Sequence, residues 1–180
     1  TVWIESVPEQ YITSIKMTPH LDDGTLQLLV HASSNGIVEA EVEGETFEFR
    51  TGIPACIQIK NVHPWSPEDP YLYDLKLKLN QDEVCSYFAM RKFSIEKDSQ
   101  GIKRLFLNHR PVFHTGLLDQ GYMSDTLLSW PCDQAMIDDI LTAKSMGFNM
   151  LRKHIKIEPL RWYYHCDRLG MLVWQDFAMA

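Results

Sequence analysis

The sequence has no apolar run approaching the roughly 20 residues that a membrane-spanning helix needs. No charged segment followed by an apolar one opens it, so no signal peptide is visible and nothing assigns a compartment. It has no basic excess. Lys+Arg total 17 against 24 acidic residues, a net charge of −7, which leaves no positive surface for nucleic acid or an anionic membrane. Cysteine is sparse: four residues, none in a CxxC pair, which argues against a zinc site. Cys56 and Cys85 either bridge two sheets or serve as small buried apolar residues, and Cys132 and Cys166 read as free thiols. A Gly-rich phosphate loop, a Ser or Cys nucleophile motif and a metal-ligand set are all missing, so no cofactor is implied. The first half also lacks any helical periodicity.

What the first half does have is alternation. Tyr11–Met17, Thr25–His31, Ile37–Val42, Thr46–Arg50, Ala55–Lys60, Tyr71–Leu79 and Glu83–Met90 read as strands. Asp22-Asp23-Gly24, Ser33-Ser34-Asn35-Gly36, Gly44 and Asn80-Gln81-Asp82 are the turns between them. About seven short strands with turns every 8–12 residues predict a β-sandwich of the immunoglobulin type. Pro64, Pro67 and Pro70 fall within seven residues, which no central strand tolerates. They predict a stiff corner that anchors the sandwich and holds Trp65. The other use of an exposed aromatic there is stacking on a sugar.

The pattern changes near residue 92. Phe93–Ile95 and Arg104–Leu107 predict two strands around Asp98-Ser99-Gln100-Gly101, and Asn108–Pro111 predicts a further turn. Val112–Gly116 reads as the next strand. Asp133 opens a helix with Met136, Ile137, Ile140, Leu141 and Lys144 on one face and Asp139 opposite, and Gly147 ends it. Phe148–Lys156 is an apolar run ending in charge. Pro159 stands at a first helical position, Trp162, Tyr163, Cys166 and Leu169 recur at helical spacing, and Gly170 supplies the stop. Met171–Trp174 is a second short buried strand. Two buried strands joined by a helix make a parallel βαβ unit with a right-handed crossover. Chemistry in such units gathers at the C-terminal ends of the strands. Those ends carry Arg152, Lys153 and His154, then Trp174, Gln175 and Asp176, the floor of a site for a small polar ligand.

Gly147-Phe148-Asn149-x-x-Arg152, Cys166-Asp167-Arg168-Leu169-Gly170 and Leu172-Val173-Trp174-Gln175-Asp176 occur in an order and spacing that resembles the early barrel strands of glycoside hydrolase family 2. That family includes β-galactosidases, β-glucuronidases and β-mannosidases. Pro64–Tyr73 resembles the corner of the family's middle domain, and Thr1–Glu5 the end of its N-terminal sugar-binding-type domain. Leu107–Pro111 resembles the hairpin leading into the barrel, with His109 where glycine is usual. The resemblance implies that 1–10 closes a preceding domain or linker, 11–95 is an immunoglobulin-like β-sandwich and 96–110 is a junction hairpin. It makes 111–180 the first three strands and two helices of a TIM barrel. The implied fold class is mixed β plus α/β, a sandwich followed by an incomplete (β/α)8 barrel segment. A closed barrel takes eight strands in about 250 residues.

The implied activity is retaining hydrolysis of O-glycosidic bonds in β-linked sugars, β-galactosides foremost. Retaining glycosidases work with two carboxyl groups about 5–5.5 Å apart. The resemblance places both on later strands, the acid/base directly after an asparagine. No Asn-Glu pair occurs in these 180 residues, so neither catalytic carboxylate is expected in the chain, and the chain alone is expected to hydrolyse nothing. What remains is substrate binding. Arg152 matches a family arginine that orients the nucleophile; its other use is an ion pair with Glu158 or Asp176. His154 stands near a family substrate histidine, which commonly sits three after the arginine, where this sequence has Ile155. Asp119, Gln120 and Asp176 offer bonds to sugar hydroxyls, and Trp174 either stacks on a pyranose or packs in a core. The partner implied is a carbohydrate. The alternative is a stand-alone immunoglobulin-like module that binds a carbohydrate or a protein. A three-strand parallel segment exposes an edge and an apolar face. Residues after about Pro111 are therefore expected to be loosely held, paired with another copy, or packed against the sandwich.

Overall fold

A computed structural model describes residues 4–177. Thr1, Val2 and Trp3, part of the stretch expected to close a preceding domain, lie outside the described residues. The chain divides into two compact units, one running to Pro64 and resuming over Leu72–Phe93, the other made of Trp65–Tyr71 and the residues from Ser94 onward.

The first unit is all β. Its strands are β1 (Ile12–His20), β2 (Thr25–Ala32), β3 (Ile37–Val42), β4 (Glu45–Arg50), β5 (Ala55–Gln58), β6 (Tyr73–Leu79) and β7 (Asp82–Phe88). They form two antiparallel sheets, β1-β2-β5 and β4-β3-β6-β7. Alternation decides the faces. Leu26, Leu28 and Val30 of β2, Val38 and Ala40 of β3, Ile57 of β5, and Leu75, Leu77 and Leu79 of β6 are buried in one cluster. Turns fix the register. Glu43 and Gly44 both take positive φ, 50° and 78°, the two-residue turn whose twist suits a hairpin, and Val42 pairs with Glu45 across it. Cys56 on β5 and Cys85 on β7 are exposed free thiols, which removes the disulfide option.

The second unit contains β8 (Phe93–Lys97, its first residue assigned to the other unit), β9 (Lys103–Leu107) and β10 (Arg110–Pro111), which form an antiparallel sheet. Leu107 pairs with Arg110 across Asn108 and His109, whose φ values are 50° and 63°. His109 therefore takes the left-handed conformation in which glycine is easiest, a place where His and Asn are enriched among the other residues. The rest of the unit is α/β: β11 (Gly116–Asp119), α1 (Asp133–Ser145), β12 (Met150–Lys153), α2 (Leu160–Leu169) and β13 (Leu172–Gln175). The three strands form a parallel sheet in the order β11-β12-β13.

β11 begins at Gly116, four residues later than Val112. Two facts explain the shift. Asn149 caps the preceding backbone, its Nδ2 donating to Phe113 O at 2.9 Å and its Oδ1 accepting from Thr115 N at 2.9 Å. And Gly116 lies close against Met150, where a Cβ would stand 2.4 Å from the side-chain Cε and 3.0 Å from the backbone oxygen. In α1 the buried residues are Met136, Ile140 and Ala143, while Leu141 is 45% exposed, so the covered stripe is rotated from the one expected. Pro159 is the N-cap of α2, one residue before the helix proper.

The three-proline corner belongs mainly to this second unit. Trp65 is fully buried, which settles it as a packing residue, and its Nε1 donates to Asp167 O at 2.7 Å. Asn108 Nδ2 donates to Trp65 O, and Lys144 Nζ to Pro67 O. Gly170 ends α2 at φ 73°, and a Cβ there would meet Pro67 O at 2.3 Å. Tyr73, by contrast, stays with the sandwich, accepting from His63 N and donating to Asn61 O.

Candidate active-site floor

Register decides which side of the parallel sheet each residue serves. Leu118, Arg152 and Trp174 are aligned across β11, β12 and β13, and so are Leu117, Leu151 and Val173. The second row packs with Met136, Ile140 and Trp162, so it faces the helices. Side chains alternate, so Leu118, Arg152 and Trp174 share the helix-free face, while Asp119, Lys153 and Gln175 share the helix-covered one. The exposures agree: Leu118 is 59% and Trp174 46% exposed, and Lys153 is 0%.

The expected site residues therefore split. Arg152, on the open face, donates from Nε to Asp176 Oδ1 at 3.2 Å and from a terminal nitrogen to Oδ2 at 2.9 Å. This is the ion pair named above as the arginine's other use. The Asp176 carboxylate, by hydrogen bond and then by charge, holds the guanidinium above its ordinary pKa. Trp174 is neither core nor free: its Nε1 donates to His114 Nδ1 at 2.8 Å, and the two rings meet edge-to-face at 5.6 Å. Burial holds His114 below its ordinary pKa, so the ring stays neutral and its proton sits on Nε2. His154 pairs with Gln120, Nδ1 to Nε2 at 2.9 Å, at the ends of β12 and β11. The next residue, Ile155, has φ 49°, a strained conformation for a β-branched side chain.

Asp119 goes elsewhere. Its Oδ2 lies 2.5 Å from Lys153 Nζ and its Oδ1 accepts from Gly121 N at 2.7 Å, so its oxygens are engaged beneath the sheet end. Lys153 Nζ is also 2.8 Å from Glu158 Oε1, which is 3.0 Å from Lys156 Nζ. The Glu158 Oε1 contacts are too bent for directed hydrogen bonds and act as charge contacts. Oε2 of Glu158 accepts from Trp130 Nε1 at 2.9 Å, and the lysine ammonium sits 4.4 Å from the Trp162 ring centroid. Gly121 is pressed against this cluster: a Cβ would lie 2.4 Å from Glu158 Oε1 and 2.6 Å from Lys156 Nζ. Asp139 borders a groove with Asp119, Tyr122 and Met146, and burial, then the Asp119 charge, raises its carboxyl against the pull of Lys153.

Sequence reading offered Glu158 only as an ion-pair partner of Arg152 and missed the buried role of Lys153. The available signal was the period: Lys153 stands two residues from Leu151 and therefore on its side of the strand. Among the described residues no group of three or more His, Cys, Asp or Glu is placed to hold a metal ion.

An antiparallel two-sheet unit followed in the chain by parallel strands with polar groups at their ends also occurs in known proteins. The sequence profile of Glycosyl hydrolases family 2 matches residues 10–91, so that segment is similar to this family. A β-galactosidase of Leuconostoc mesenteroides is 32% identical over 115 residues, 64% of this chain and 11% of that protein. A β-galactosidase of Lactococcus lactis is 27% identical over 98% of this chain and 18% of its own length. The solved β-glucuronidase of Faecalibacterium prausnitzii superposes with a TM-score of 0.80 at 23% identity, over 92% of this chain and 28% of that one, a likeness of fold. The chain thus spans well under a third of each of these relatives.

Proposed function

We propose that this chain supplies a scaffold and part of the substrate floor of a retaining glycosidase acting on β-linked sugars, β-galactosides foremost. In this reading the first unit is the family's immunoglobulin-like middle domain, spanning about residues 11–95. The hairpin of 96–110 is the junction, and 111–180 is the opening of a (β/α)8 barrel. The observation that carries it is the aligned row of Leu118, Arg152 and Trp174 on the helix-free side of a parallel sheet. Barrel enzymes keep their sites at the C-terminal ends of such strands. Arg152 and Asp176 form a fixed polar pair there, Trp174 offers a ring face, and Gln120 with His154 offers further bonds. Asp119 drops out as a direct sugar ligand because Lys153 and Gly121 occupy its oxygens. The reacting carboxylates belong to later strands in this reading, so these residues bind and orient without catalysing.

Two parallel edges, those of β11 and β13, have no partner strand among the described residues. Unpaired edges of this kind recruit another chain, so the reading includes self-association through this segment at high concentration. The test is a nuclear magnetic resonance titration of the chain with methyl β-galactoside. Shifts confined to the Trp174 indole and the Arg152 side chain are the expected result. Absence of shifts there, or measurable turnover of nitrophenyl glycosides by the chain itself, overturns it.

A further inference from the structure

Lys153 meets no sugar in the reading above, yet at 0% exposure it is the most completely buried charge among the described residues. We propose that Lys153 is a positioning residue: its ammonium, behind the sheet, holds the two connections that present Gln120 and His154 as a pair. The inference rests on the glycosidase reading for what the pair would bind, but not for the positioning itself.

The geometry carries it. From one atom, Lys153 reaches Asp119, which ends β11, and Glu158, which lies between β12 and α2. Asp119 in turn fixes the start of the loop after β11, because its Oδ1 accepts from Gly121 N at 2.7 Å. Lys156 closes the ring, bonding Gly121 O at 2.7 Å and pairing with Glu158. The loop holding Gln120 and the segment holding His154 are thus tied from beneath through the same ammonium. Backbone bonds complete the frame: His154 N donates to Asp119 O at 2.9 Å, and Asp176 N to Lys153 O at 3.1 Å. A fully enclosed cation with two acids, and with the Trp162 face at 4.4 Å, has a single stable place, which is what positioning requires. The strained φ of Ile155, directly after His154, marks a backbone held by its surroundings against local preference.

The competing account is that the cluster merely stabilises the fold. Amide and imidazole nitrogens joined by a hydrogen bond show a scalar coupling across it, so the Gln120–His154 bond is read directly in the isotope-labelled chain. Wild type is expected to show this coupling between Gln120 Nε2 and His154 Nδ1. Lys153→Met is expected to abolish it while resonances of the first unit keep their positions. If Lys153→Met keeps the coupling, the proposal is overturned. If that variant unfolds the second unit, Asp119→Asn takes its place: it keeps shape and the Gly121 bond but loses the ion pair. Loss of the coupling in a folded Asp119→Asn chain supports the proposal, and its retention overturns it. Adding methyl β-galactoside separates the two ideas. A sugar that shifts nothing in wild type defeats the glycosidase reading while leaving the coupling result standing.

Discussion

The two units bury different things. In the sandwich the interior is aliphatic and aromatic, and the buried polar residue described there is Thr51. In the α/β unit the cluster of Met136, Ile140, Trp162 and Met171 lies beside the paired Lys153 and Glu158, both buried. A sheet that only has to hold its shape gains from apolar area at about 25 cal/mol per Å² and has no use for desolvated charge. A charge network inside a core costs desolvation that its own attraction scarcely offsets, so its presence marks a place where geometry matters more than stability. The contrast separates scaffold from candidate site without any appeal to relatives.

The largest effect that would break this contrast is at Lys153. Lys153→Met leaves Asp119 and Glu158 facing each other with Lys156 as the remaining cation. Removing one member of a buried ionic set costs about 3–5 kcal/mol. Hydrogen exchange should show that loss in the amides of β11, β12 and α2, with β2 and β6 unchanged. Equal loss in both units would erase the distinction. The mirror experiment is Leu28→Ala in the sandwich, where Leu28 is fully buried and the cavity costs about 2–5 kcal/mol. Its loss should appear in β2, β3 and β6.

A smaller effect tests the corner that the chain lends from one unit to the other. Gly170→Ala puts a methyl 2.3 Å from Pro67 O on a left-handed residue, and the conformation alone costs about 1–2 kcal/mol. Urea midpoints of the second unit should fall accordingly, whereas Gly52→Ala, also at positive φ but with open space around it, should show the conformational part only.

How much of this was legible in the sequence follows from the same contrast. The sandwich strands were readable because a half-buried strand alternates, and the structure moves their ends by at most three residues, the largest shift carrying β1 on to His20. The helices were readable from Gly147 and Gly170. β11 was misplaced because neither the Asn149 cap nor the Gly116–Met150 crossing leaves a periodic trace; both are pairings over more than thirty residues. Arg152, Trp174 and Asp176 drew attention because they end apolar runs, and the structure gathers them at the ends of β12 and β13. The contact of Asp119 with Lys153 was not legible, because a carboxylate at a strand end looks the same whether it faces a ligand or a buried lysine.

Cysteine chemistry reads the two units separately and with little perturbation. Cys56 and Cys85 are exposed, so a thiol reagent should modify both in the native chain. Cys166 is buried at 1% exposure, and burial pushes its thiol far above the ordinary range, so it should react only when α2 opens. Lys153→Met should bring Cys166 labelling to lower urea while leaving Cys56 and Cys85 unchanged. Cys166 labelling as fast as Cys56 in the wild-type chain would mean that the second unit is not closed at all.

The smallest expected effect is a pH dependence, and its sign is fixed. Burial holds His114 below its ordinary value of 6.5, and Trp174 donates to its Nδ1. The folded ring therefore takes up a proton at lower pH than the unfolded one. Its contribution to stability is full above pH 6.5, declines as pH falls below that value, and levels off once the folded ring is itself protonated. Comparing urea midpoints of wild type and His114→Asn from about pH 7.5 down to about pH 5 isolates this group from the carboxylates common to both. The difference between the two chains should shrink steadily as pH drops below 6.5, and only in the second unit. A difference that stays constant across the range would mean that burial beside Trp174 does not hold the ring neutral. Trp174 would then be positioned by packing alone.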